Sequence, residues 1–293
     1  MTEDPSPENL RKFLESSDPA LVRMGISMAK GSGVKVTVED IQNILIGKDG
    51  ANLSLGLEFA KEVGIEDEAI EVIIGNFTSS YYDDSSLMDG IIASNNGKAI
   101  DALIDYGSYD YEERCSVIQF FSENGVSQLN KDQKQGLKTL AECHIDGCEC
   151  LDLDDAYEAK YALEILKSIG DIDSLSYFND AIDGACFNTD RRECDAVGMN
   201  FMLQEELSQV IAKILSEEKD KIKIRSYLSS YLEDDLDTLV DPYQYYDNHL
   251  KFRSNILGGL DTKDNDVNST IQKISKRIKD SREKHPPPED FGY

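Results

Sequence analysis

The segment CHIDGCEC, residues 143–150, brings together side chains that could bind a transition metal. Cys143, His144, Cys148 and Cys150 offer thiolate and imidazole groups, the ligands that zinc prefers. Structural zinc sites usually place paired cysteines two residues apart and add a second pair elsewhere. This segment lacks that spacing, and no second pair follows it. We therefore predict no metal site here and expect free thiols.

A second pattern suggests calcium. Asp264, Asp266 and Asn268 match the first half of a calcium-binding loop, which supplies oxygen ligands at alternate positions. That loop requires glycine at its sixth position and glutamate at its twelfth, where this chain has Ser269 and Ser275. We interpret the segment as a linker.

A third cluster consists of Asp152, Asp154 and Asp155. Carboxylates at the start of a helix interact favourably with its dipole, so the cluster is typical of a helix beginning. A cation site is the alternative interpretation, and the same three residues are candidate contacts for a basic partner.

Nothing in the sequence indicates catalysis. The histidines are His144, His249 and His285, and none belongs to a recognisable nucleophile motif. No glycine-rich phosphate loop occurs. We predict no catalytic residues and no cofactor.

The elements that would position these groups are indicated by a repeat. LESSDPALVRMGISMAKGSGV begins at Leu14 and LIGKDGANLSLGLEFAKEVGI at Leu45, with seven identities at a constant offset of 31 positions. Asp18 and Asp49 are good N-cap residues, so each is expected directly before a helix. The glycines Gly25 and Gly56 lie inside these helices, where glycine is unfavourable, and we expect both at helix contacts.

Apolar residues in the first copy recur at a spacing of three and four, which indicates one buried helix face formed by Leu21, Met24, Gly25 and Met28. Weaker copies begin at Asp110 and Asp155 and end at Gly125 and Gly170. A shorter helical segment precedes each of the first two copies, so the unit is a helical hairpin. Such hairpins bury their apolar faces by stacking, and we count about six of them.

The segment DDAYEAKYALEILKSIGDIDSL, residues 154–175, resembles the HEAT-like repeats first described in phycobilisome lyases. The resemblance covers roughly residues 8–215. It implies a right-handed superhelix with a concave surface for partners, usually without catalysis. Some relatives attach bilins and others excise damaged bases, the latter in a basic groove lined by aromatic residues.

Charge argues against such a groove. The chain has 293 residues and a formal net charge of −27, and residues 1–217 carry 17 Lys or Arg against 42 Asp or Glu. The remaining residues carry 13 against 15. So negative a surface repels nucleic acid and anionic membranes and favours a basic protein partner. Adaptation to high salt is the alternative origin of the acidity.

The C-terminal part has a different composition. We assign residues 1–217 to an acidic repeat solenoid, 218–256 to a Tyr-rich helical cap, and 257–293 to a linker, a basic amphipathic helix and a mobile Pro-rich end. The helix places Ile271, Ile274 and Ile278 on one side. Its candidate partner contacts are Lys273, Lys276, Arg277 and Lys279. Three destinations are open to it: solvent, the acidic repeats, or a separate anionic partner.

The sequence therefore predicts an all-α solenoid with a helical cap and tail. The polar first residues and the absence of an apolar run of membrane-spanning length predict a cytoplasmic protein with reduced cysteines. The predicted function is a non-catalytic scaffold that binds a basic protein. The alternatives are a bilin lyase or isomerase, or a scaffold regulated by a bound cation.

Elemental analysis of the purified protein is expected to show no stoichiometric zinc, because the cysteine spacing is unsuited to a closed tetrahedral site. A full equivalent of zinc per chain that disappears on replacing Cys148 and Cys150 by serine would contradict this prediction.

Overall fold

The computed structural model describes residues 10, 12–13, 16, 18–29, 97–146, 148, 153–187, 197–232 and 245–284. Every regular element within these ranges is helical, and no strand occurs among them, so the all-α prediction is confirmed for this part of the chain. Several predictions concern residues outside these ranges, namely those for Asp49, Gly56, Cys150, Asp152 and the Pro-rich C-terminus.

The chain divides into two compact units, residues 1–120 and 121–293. The first contains helix α1 (Pro19–Ala29), helix α2 (Gly97–Tyr106) and the beginning of helix α3 (Tyr111–Asn124), within which the division falls.

Side-chain caps mark the start of two of these helices. The carboxylate of Asp18 accepts a hydrogen bond of 2.9 Å from the Ala20 amide at the start of α1. Asp110 accepts one of 3.2 Å from the Glu113 amide at the start of α3. That helix ends before Gly125, whose φ of +79° is the left-handed conformation that glycine adopts most easily. Local sequence therefore determines these helix ends.

The buried face of α1 differs from the predicted one. Val22, Gly25 and Ala29 are buried, whereas Leu21 and Met24 are 37% and 45% exposed. Apolar residues occupy most of this short helix, so periodicity alone did not select the face that packs. The side that is buried carries the smaller side chains.

The second unit contains the end of α3 and seven further α-helices within the described ranges. They are α4 (Lys131–Ile145), α5 (Leu153–Ile169), α6 (Asn179–Phe187), α7 (Val197–Glu217), α8 (Lys221–Leu232), α9 (Tyr245–Gly259) and α10 (Asn265–Lys284), with a 3₁₀ helix at Ile172–Tyr177 between α5 and α6. Consecutive helices α4 and α5 pack against each other, and α7 packs against α5, α6 and α9. The core of this unit therefore surrounds α7, where Leu207 and Ile211 are completely buried.

Helix α5 begins earlier than predicted. Its first residue is Leu153, so Asp155 lies within the first turn rather than directly before the helix. Asp154 lies in the same turn, where the helix dipole favours negative charge.

The three segments predicted as separate regions, 1–217, 218–256 and 257–293, meet within the second unit. Helix α7 packs against α9, and α10 packs against both α8 and α9. The predicted linker at Asp264, Asp266 and Asn268 is instead the beginning of α10. The Asp264 carboxylate accepts hydrogen bonds of 3.0 Å from the amides of Asp266 and Val267, which makes it a helix cap.

The basic helix α10 packs at a position that differs from the three predicted for it. Val267, Ile274 and Ile278 are buried and Ile271 is half-buried, and the helices that pack on α10 are α8 and α9. The helix is therefore attached to the Tyr-rich region by its apolar face, rather than lying in solvent or on the acidic repeats. In the described part of the chain, no helix combines the length and hydropathy needed to cross a membrane.

Gly170 follows α5 at a point of close approach. A Cβ atom there would overlap the carbonyl oxygen of Leu166 and lie 3.3 Å from Ile214 Cδ1. We expect Gly170→Ala to lower the free energy of unfolding by about 1–3 kcal/mol, measured by urea denaturation. The control is Gly258→Ala in α9, where a Cβ meets no atom within 4 Å. That variant should be unchanged or more stable, since alanine favours helix, and equal destabilisation of both would contradict the prediction.

Candidate functional site

A buried polar network joins α4 to the 3₁₀ helix. Lys138 and Glu142, one turn apart on α4, are only 8% and 7% exposed. Lys138 Nζ donates to Asp171 Oδ2 at 2.5 Å and lies 3.4 Å from Glu142 Oε1. Ser174 Oγ donates to the same Glu142 oxygen at 2.6 Å. Asp171 also caps the 3₁₀ helix by accepting from the amides of Asp173 and Ser174.

Lys138 and Asp171 keep their charges in this network. Burial by itself would lower the pKa of Lys138, but the hydrogen bond that Lys138 donates to Asp171 and the charge of Glu142 outweigh it and raise that pKa above 10.5. Burial would likewise raise the pKa of Asp171, yet its bond to Lys138 outweighs burial and lowers that pKa below 3.8. Because both groups stay ionised near neutral pH, the network holds the fold together and is unsuited to proton transfer.

The residues predicted as possible metal ligands do not converge on one point. Two of them, Cys143 and His144, lie on α4, and Cys148 follows it. Cys143 is exposed, whereas the next residue, His144, is 3% exposed, and Cys148 is buried. Consecutive residues of a helix point in different directions, which separates the first two groups. His144 Nε2 instead lies 3.9 Å from a carboxylate oxygen of Glu158 on α5. This neighbour comes from the packing of α4 on α5, and no local spacing predicts it.

The predicted partner contacts lie on two different helices. Asp154 and Asp155 belong to the first turn of α5. Lys273, Lys276 and Lys279 are exposed on α10, and Arg277 beside them is half-buried.

Charge is segregated along the second unit. Among the described residues 121–217, Lys131 is the one exposed basic residue, against nine exposed acidic residues. These are Glu123, Asp132, Asp146, Asp171, Asp173, Asp180, Asp183, Glu205 and Glu217. We call this set the acidic surface. Its helices thus present carboxylates to solvent with few basic groups among them.

The described residues 218–284 have the opposite balance. Five acidic residues are exposed here: Asp220, Asp261, Asp266, Asp280 and Glu283. Ten basic residues are exposed: Lys219, Lys221, Lys223, Lys251, Lys263, Lys273, Lys276, Lys279, Arg282 and Lys284. The sequence count after position 217, 13 basic against 15 acidic residues, differs from this balance because seven of the acidic residues lie outside the described ranges.

A cleft of about 750 Å³ lies where the end of α7, the start of α8 and the start of α10 meet. Lys221 Nζ and Asp264 Oδ2 are 2.6 Å apart at this cleft, and Arg225 lies 3.7 Å from Asp266. The bond from Lys221 lowers the pKa of Asp264. These carboxylates interact with lysine, arginine and helix amides, so their arrangement is that of a helix junction and differs from a calcium loop.

The Tyr-rich region contains a buried polar cluster that no sequence pattern predicts. His249 and Arg253, one turn apart on α9, are 6% and 5% exposed, and Tyr227 comes from α8. Burial raises the pKa of the Tyr227 hydroxyl, and the nearby charge of Arg253 opposes that rise. The hydroxyl of Tyr227 therefore lies in the interior of the second unit.

Comparisons with known proteins found no match to any protein-family model, curated protein or solved structure. The resemblance to HEAT-like repeats therefore stays a prediction from the sequence.

Replacing Lys138 by methionine should lower the free energy of unfolding by about 1–3 kcal/mol, because the buried Glu142 carboxylate loses its cation. Lys167→Met is the matched control, since Lys167 lies 3.7 Å from Glu164 with both side chains more than 40% exposed. An exposed pair contributes about 0–1 kcal/mol. Equal effects of the two substitutions in urea denaturation would show that burial of the network is unimportant.

The effect of Lys138→Met on the free energy of unfolding should depend on pH. The lowered pKa of Asp171 provides stability above the ordinary aspartate pKa, and this stability is lost as pH falls through the lowered value. The raised pKa of Lys138 provides stability below 10.5 that is lost as pH rises through the raised value. The difference in free energy of unfolding between wild type and Lys138→Met should therefore be constant from about pH 5 to 9. It should become smaller below and above that range.

Proposed function

We propose that this protein is a non-catalytic scaffold or adaptor, a solenoid of HEAT-like hairpins whose acidic surface binds a basic protein partner. The observation that carries the proposal is the excess of exposed carboxylates over exposed bases among the described residues 121–217. The packing of consecutive helices α4 and α5 is consistent with hairpin units.

The energetics favour a partner with many basic groups. One exposed ion pair contributes only about 0–1 kcal/mol and is screened by salt, so useful affinity needs several pairs formed together. A rigid array of helices supports this, because it holds the carboxylates in fixed positions before the partner arrives. Complementary charge also accelerates association.

The same charge distribution disfavours nucleic acid and anionic membranes on this surface. Both ligands present closely spaced phosphates, which the carboxylates would repel. A basic protein segment is therefore the ligand class that fits. Lysine and arginine side chains donate charge-assisted hydrogen bonds to carboxylates, and arginine can do so with two parallel bonds.

The proposal is tested with a fluorescent Lys- and Arg-rich peptide and fluorescence anisotropy at low and high salt. The variant Asp146→Asn/Asp180→Asn/Glu205→Gln removes three charges from the acidic surface and should weaken binding about tenfold at low salt. The difference should vanish as the salt concentration rises.

The matched control is Asp261→Asn/Asp280→Asn/Glu283→Gln, which changes the net charge equally but lies in the part of the unit that is rich in exposed bases. Its affinity should stay within about twofold of wild type. Equal loss in both variants would mean that only net charge matters, and an absence of peptide binding by the wild type would refute the proposal.

A further inference from the structure

Helix α10 is fixed to the second unit by one side only. Val267, Ile274 and Ile278 are buried, and α8 and α9 are the helices that pack on it. A helix attached along one apolar stripe presents its remaining circumference outward. The orientation of its polar side chains is therefore set by the fold.

The two ends of α10 differ in the sign of their charge. At the beginning, Asp264 and Asp266 lie close to Lys221 and Arg225 of α8. From residue 269 onward the helix carries six basic residues against two acidic ones, Asp280 and Glu283. Lys273, Lys276, Lys279, Arg282 and Lys284 are exposed and Arg277 is half-buried. We call these six residues the basic face, which surrounds the helix outside its apolar stripe and also contains Asp280 and Glu283; Glu283 Oε1 lies 3.9 Å from Lys279 Nζ.

The size of the basic face limits what it can bind. From Lys273 to Lys284 the helix rises about 17 Å, and the face is one helix wide. An extended peptide of about five residues has the same length. The dimensions therefore suit a short linear segment, and carboxylates are the protein groups that complement lysine and arginine.

The rest of the unit argues against larger polyanions. The acidic surface belongs to the same compact unit, and its nine exposed carboxylates repel a polyanion more strongly the larger and more charged that polyanion is. A short acidic peptide can contact α10 with less repulsion. Within this unit, local attraction and overall repulsion thus favour a small, locally acidic ligand.

We propose that the basic face of α10 is a second docking surface, which binds an acidic segment of a protein partner. This inference does not depend on the proposed function of the acidic surface, because the two surfaces differ in sequence, position and sign of charge. Together they would let the scaffold hold a basic and an acidic segment at the same time.

The test uses the full chain and a fluorescent Glu-rich peptide of about 12 residues, long enough to exceed the basic face. Lys276→Glu/Lys279→Glu should weaken binding about tenfold at low salt, because attraction becomes repulsion at two positions. The control Lys251→Glu/Lys263→Glu makes the same change in net charge at exposed positions outside α10 and should stay within about twofold. Circular dichroism checks that both variants keep their helices. If Lys276→Glu/Lys279→Glu loses helix content, Lys276→Gln/Lys279→Gln is measured in its place.

Phosphatidylserine vesicles and a single-stranded RNA of similar length are measured in parallel. Tighter binding of either, lost in Lys276→Glu/Lys279→Glu, would overturn the assignment to a protein segment. Equal losses in the variant and its control, or no binding of the acidic peptide by wild type, would overturn the docking surface itself. Failure of the basic peptide to bind concerns only the acidic surface, so the two proposals fail separately.

Discussion

Burial of helix α7 is the constraint on which the rest of the second unit depends. Leu203, Leu207, Val210, Ile214 and Leu215 are all at most 3% exposed. At 100° per residue these positions extend over an arc wider than a single neighbouring helix can cover. Helices α5, α6 and α9 pack around α7 and together cover these apolar side chains. Because this apolar contact stabilises the unit, the exposed charged residues outside it are not needed to hold its core together.

Charge segregation has a cost, and ion pairs reduce it where the acidic and basic parts meet. Lys223 of α8 lies 3.0 Å from Asp173 of the 3₁₀ helix. Within the acidic part itself, Lys160 of α5 lies 3.4 Å from Glu206 of α7. Such pairs are weak individually, but they place opposite charges side by side at helix contacts, which lowers repulsion within each surface. The later turns of α10 carry six basic residues against two acidic ones, Asp280 and Glu283, so they present a net positive charge.

The network of Lys138, Glu142, Asp171 and Ser174 shows a different use of charge. Lys138, Glu142 and Ser174 are buried, Asp171 lies at the exposed edge, and each has a partner within the protein, so the network specifies how α4 meets the 3₁₀ helix. A buried charge is tolerated only with such partners. The interior charges therefore determine geometry, whereas the exposed charges are available to other molecules.

The sequence by itself determined the features that depend on residues a few positions apart. Asp18 and Asp110 begin helices, Gly125 ends one, and the isoleucine spacing of α10 predicted both its buried stripe and its basic face. Only the tertiary structure decided which face of α1 is buried, that Lys138 meets Asp171, and that α10 packs on α8 and α9. Capping and periodicity involve groups within about one turn, whose geometry the backbone fixes. The choice among apolar faces and the pairing of distant charges depend on which helices meet, and no local pattern contains that information.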